Sequence, residues 1–104
     1  MPSRHATHTA VVDTVHHYLE RAFPNRVTHT GWEADGKGPI FEVVHDQTRH
    51  QVIITSGFLA VCPDSAYTLR HSELTDYMRE ARTQNRRFLV LWQNGALHIR
   101  FTPL

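Results

Sequence analysis

The sequence predicts an α+β fold: a two-layer sandwich with a mostly antiparallel sheet and two helices on one face. Three observations carry that expectation. An apolar stripe at helical spacing opens the chain, segments of alternating apolar and polar residues follow, and Asn94-Gly95 marks a terminal hairpin. A helix must bury its stripe and a sheet must bury one face, and packing one on the other satisfies both. The expected order is α-β-β-β-(β)-α-β-β over one domain, residues 1–104, with 1–6 loose.

The first helix is expected to start near Thr9 and to stop before Pro24. Val12, Val15, Leu19, Ala22 and Phe23 form its stripe. Thr9 suits the cap, and Asp13 adds negative charge near the positive end of the helix dipole. Segment 27–34 is extended and 35–39 is a loop. Strands are expected at 40–45 and 50–55, with a turn over 46–49. A further short strand is expected at 58–62, with Ser56-Gly57 a turn before it or a bulge within one bent strand. Pro63-Asp64-Ser65 breaks the pattern. Ser72 then reads as the cap of a second helix running to about Gln84, with Leu74, Tyr77, Met78 and Ala81 on its inner face.

The last stretch, "RRFLVLWQNGALHIRF", is a hairpin whose type I′ turn fixes the register. Trp92 faces Leu97, Val90 faces Ile99 and Phe88 faces Phe101, all six in the core. In the middle hairpin the expected pairs are Phe41 with Ile54, Val43 with Val52 and His45 with His50. Both registers put aliphatic side chains on the face away from the helices. Ile40, Val44, Ile53, Leu89 and Leu91 make that outer face apolar, as a partner-binding surface is.

Bulk properties exclude several classes. The chain has 104 residues and a formal charge of +1, so overall charge does not mark a nucleic-acid binder. No apolar run approaches the ~18 residues of a membrane span, and no signal-like apolar core stands near the start. A cytoplasmic protein without membrane contact is the expectation. The single cysteine, Cys62, excludes an internal disulfide and a Cys-rich zinc site. Its apolar flanks read as a buried side chain rather than a nucleophile. No hydrolase elbow, zinc-protease, phosphate-loop or dinucleotide fingerprint occurs, and the Gly36-Lys37-Gly38 loop lacks the Ser/Thr a phosphate loop needs. No cofactor and no small-molecule ligand is expected.

Four of nine histidines fall in "HATHTAVVDTVHHYLERAF". Successive helical residues point ~100° apart, so His16 and His17 cannot converge on one ion. His16 is expected half-buried at the edge of the stripe. His45 and His50 are the more promising pair, close enough to share a metal or to sense pH by mutual repulsion. The segment "REARTQNRR" offers another surface. Arg79, Arg82 and Arg86 are spaced along one helix face and its extension, and with Arg87 they suit phosphate contacts.

The order of elements is similar to the core of restriction-endonuclease-like nucleases. That family carries an acid on the second strand and an acid-x-lysine on the third. Glu42 suits the first role, but "HQVIITS" has neither acid nor lysine, so the chain departs from the family at its metal positions. The order also resembles small α+β regulators such as type III secretion chaperones, which bind proteins; no motif carries that likeness. The sequence thus points first to a small non-enzymatic protein-interaction or regulatory module, expected to be a homodimer. A nucleic-acid-binding accessory protein comes second and a metal-dependent enzyme on His45 and His50 third.

Overall fold

The computed structural model describes residues 4–32, 38–45, 47–61, 65–81 and 84–104. Five strands form one sheet in the order β1-β2-β3-β4-β5. They are β1 (Val27–Trp32), β2 (Pro39–His45), β3 (Thr48–Ile54), β4 (Arg86–Gln93) and β5 (Ala96–Pro103). β1-β2, β2-β3 and β4-β5 are antiparallel, while β3 and β4 run parallel. A parallel pair needs a crossover. Here it is residues 55–85, which hold three short helices: α2 (Ser56–Val61), α3 (Ser65–Arg70) and α4 (Leu74–Glu80). The long helix α1 (Arg4–Ala22) precedes the sheet. The α+β sandwich is as the sequence predicts.

Helix α1 begins at Arg4, several residues before the expected Thr9. It buries Val15 and Leu19, with Phe23 just beyond it, and Val12 and Ala22 pack at their edge. It stops where Pro24 cannot continue it and Asn25 takes a left-handed φ of 61°. The Asn25 N–H donates to the Glu20 carboxylate at 2.6 Å. These side chains meet Phe41 and Val43 of β2, Val52 and Ile54 of β3, and Phe88 and Val90 of β4, all buried. Phe58, Leu69, Leu74 and Met78 from the crossover complete the core.

Segment 58–62 is where sequence and structure part. Its described residues, 58–61, are not a strand but belong to helix α2. A short apolar run fits a buried helix as well as a buried strand. Thr55 decides the matter as a cap. Its Oγ1 accepts the Phe58 N–H at 3.3 Å and donates to the Val90 carbonyl at 2.7 Å, so one hydroxyl starts α2 and ties it to β4. Helix α3 has no counterpart in the expected order. Helix α4 ends at Glu80, short of Gln84, and Ser72 Oγ accepts the Leu74 N–H at 3.4 Å while donating to the Leu69 carbonyl at 2.7 Å.

The two hairpins differ in how far their registers were foreseen. At Asn94 and Gly95 φ is 53° and 76°, as a type I′ turn requires, and Trp92 faces Leu97, Val90 Ile99 and Phe88 Phe101. In the middle hairpin the expected pairing is two residues off. Phe41 faces Val52, Val43 faces His50 and His45 faces Thr48, across a tighter turn in which Gln47 takes φ 66°. A slip of two preserves the faces, so Phe41, Val43, Val52 and Ile54 still point inward.

Candidate interaction surface

The outer face of the sheet is organised in rows across the strands. Ile40 stands opposite Ile53, Ile53 beside Leu89 in the parallel register, and Leu89 opposite Arg100. Leu91 adjoins Leu89 two residues along β4 and faces His98. These apolar side chains are half-buried by their neighbours, and none joins the core beneath the helices. Val44 is set apart. Between it and the apolar row lies the polar row Glu42, Gln51 and Arg87. Arg87 Nε donates to Gln51 Oε1 at 2.6 Å, and Arg49 pairs with Glu42 at 3.4 Å. The expected apolar face is therefore a stripe of Ile40, Ile53, Leu89 and Leu91, with Val44 outside it.

The inner side of β5 is open as well. Phe101, expected in the core, is 51% exposed on this edge strand, where the Tyr77 ring of α4 reaches it with centres 6.4 Å apart. Leu97 and Ile99 are half-buried beside it. Arg86 stacks on Phe101 with its guanidinium carbon 4.9 Å from the ring centre.

The arginine surface does not assemble as a helix face. Helix α4 ends before Arg86, which belongs to β4, and strand alternation sends Arg86 inward and Arg87 outward. Arg79 pairs with Asp76 at 3.2 Å and lies 5.5 Å from the Phe23 ring centre. Arg82 and Cys62 lie outside the described residues, as do Asp46 and most of the Gly36-Lys37-Gly38 loop.

His45 and His50 are neighbours, but diagonally across the hairpin and on the inner face, not directly opposed on the surface. Their ring centres are 5.0 Å apart. His45 Nε2–H donates to the Met78 carbonyl at 3.0 Å. Thr48 Oγ1 donates to the His45 carbonyl at 2.6 Å and so accepts from His50 Nε2–H at 3.2 Å. That places the His50 proton on Nε2 and leaves Nδ1 buried without a hydrogen-bond partner. Burial, then repulsion from His45, lowers the His50 pKa to about 4, with Arg86 adding a little and the Ala81 carbonyl pulling the other way. Among the described residues no group of three His, Cys, Asp or Glu side chains converges as a metal site needs. The pair is built into the core edge. His16 is likewise half-buried, donating Nε2–H to the Val27 carbonyl at 3.2 Å. Glu42 is engaged by Arg49.

No family model, no curated protein and no solved structure matches the chain. Among the described residues no helix is long and apolar enough to cross a membrane.

Proposed function

We propose that the protein is a small interaction module that pairs with a second copy of itself through the outer sheet face. The single observation behind this reading is the row Ile40–Ile53–Leu89, extended by Leu91, on a face that carries no helix among the described residues. A sheet packs well on a sheet, with the two about 10 Å apart. Five strands at ~4.8 Å spacing give a face about 24 Å wide, matched in shape and size by the same face of another copy. The polar row beside the stripe is partly paired within the chain. Glu42 and Arg49 offset one another's charge, and Gln51 takes one of the Arg87 hydrogen bonds, so the charge left for a partner to meet is that of Arg87. Arg100 and His98 lie on the edge strand, where they would form a polar rim.

Light scattering over a wide concentration range tests this. Wild type is expected to approach twice the chain mass as concentration rises, and Leu89→Lys or Leu91→Lys to remain at one. Thermal unfolding of each variant, read on the monomer, checks that the fold survives. A wild type that stays monomeric throughout, or a dimer indifferent to both lysines, overturns the reading.

A further inference from the structure

We infer that a groove on the helical side of the molecule binds a small organic phosphate. The groove lies between α1, α3 and α4 and has a volume of about 870 Å³. Small-molecule pockets span roughly 300–1,000 Å³. Arg21 from α1, Arg70 from α3 and Arg79 from α4 all line it, so three separate elements bring arginines to one concavity. Among the described residues Asp13 is the one carboxylate on its walls. The whole chain, by contrast, nearly balances 11 basic residues against 10 acidic ones. The local excess of positive charge is thus a matter of arrangement, not of composition.

Pairing separates the three arginines. Arg79 is held by Asp76 and by the Phe23 ring. Arg21 and Arg70 make no ion pair or hydrogen bond with another described residue. Each of the three sits in the last turn of its helix, where a cation complements the helix dipole. The dipole accounts for their positions along the helices but not for their facing one groove.

The geometry selects among anions. A carboxylate offers one planar edge, which a single guanidinium satisfies bidentately. A terminal phosphate presents three oxygens in different directions, and three arginines approaching from three helices suit that shape. The groove exceeds the volume of the anion, and its lining includes the less polar side chains Tyr18, Ala22 and Leu69, with the Tyr18 hydroxyl 3.3 Å from Ser72 Oγ. Those side chains suit the organic body of the ligand. No sequence motif announces such a site, because its residues are scattered over three elements and none is a glycine-rich loop.

Titrating the isotopically labelled full chain with phenyl phosphate, and following amide and arginine side-chain resonances, tests this inference. Saturable shifts are expected around Arg21, Leu69–Arg70 and Thr75–Arg79. The double variant Arg21→Gln with Arg70→Gln should weaken binding at least tenfold. Arg26→Gln, outside the groove, should leave it unchanged. Inorganic phosphate should bind more weakly than phenyl phosphate, and benzoate more weakly still. Failure of phenyl phosphate to bind at millimolar concentration overturns the assignment. So does equal loss with Arg26→Gln, or a short single-stranded oligonucleotide binding the groove where phenyl phosphate does not. A folded control is the circular dichroism of each variant, and if the double variant unfolds, the single Arg70→Gln serves in its place.

Discussion

At the scale of single residues, His50 carries the sharpest expectation. Its folded-state pKa of about 4 lies below the ordinary 6.5. The unfolded chain therefore binds a proton that the folded chain refuses, and the stability His50 contributes is present above about pH 6.5 and lost as pH falls towards 4. The loss is at most about 3 kcal/mol. Denaturant unfolding measured from pH 7 to pH 4 should show this slope, and His50→Gln should flatten it. Gly95 makes a second case. Its φ of 76° is open to glycine and strained for other residues, although no atom lies within 4 Å of an added Cβ. Gly95→Ala should cost about 1 kcal/mol or slightly more through backbone strain, read as a lower denaturation midpoint with an unchanged slope. Asn94-Gly95 was legible in advance because that turn's demand is met by two adjacent residues. The middle hairpin has no such pair. Gln47 takes its left-handed position without a glycine to advertise it, and the register was misjudged by two.

At the scale of elements, Thr55 is the hinge between sheet and crossover. Thr55→Val keeps the shape and removes both the cap of α2 and the bond to Val90. A loss of about 1–2 kcal/mol is expected, and Thr55→Ser should restore most of it. The same residue explains why α2 was hidden from sequence reasoning. Four apolar residues in a row, 58–61, carry no period, and the capping hydroxyl sits at what reads as the end of a strand. The long stripe of α1 and the inner face of α4 were legible because several turns repeat the pattern. The arginine segment misled for the converse reason. Its helical spacing is present in the sequence, but α4 stops at Glu80, so spacing beyond that point no longer defines a face.

At the scale of the whole molecule, the outer stripe was visible in outline from alternation. What alternation did not give was the neighbour of each strand. That β3 lies parallel to β4 is a property of the crossover, and it is this pairing that joins Ile53 to Leu89 and leaves Val44 behind the polar row. The groove between three helices was invisible for a related reason, since α3 is too short to announce its orientation. If the stripe is the contact between copies, dilution should lower thermal stability in wild type, whereas Leu89→Lys should unfold at a temperature independent of concentration.

The parallel seam also gives folding an order in time. Strands β1 to β3 connect through short links, and β4 to β5 through two residues, so each group closes a small loop. The seam between β3 and β4 must wait for residues 55–85 to be gathered in, and the entropy of closing that longer loop is paid before its contacts form. Pulse-labelled hydrogen exchange during refolding should therefore find the β4-β5 amides protected before those that join β3 to β4. The two antiparallel pieces are made first, and the molecule becomes a single cooperative body when they meet.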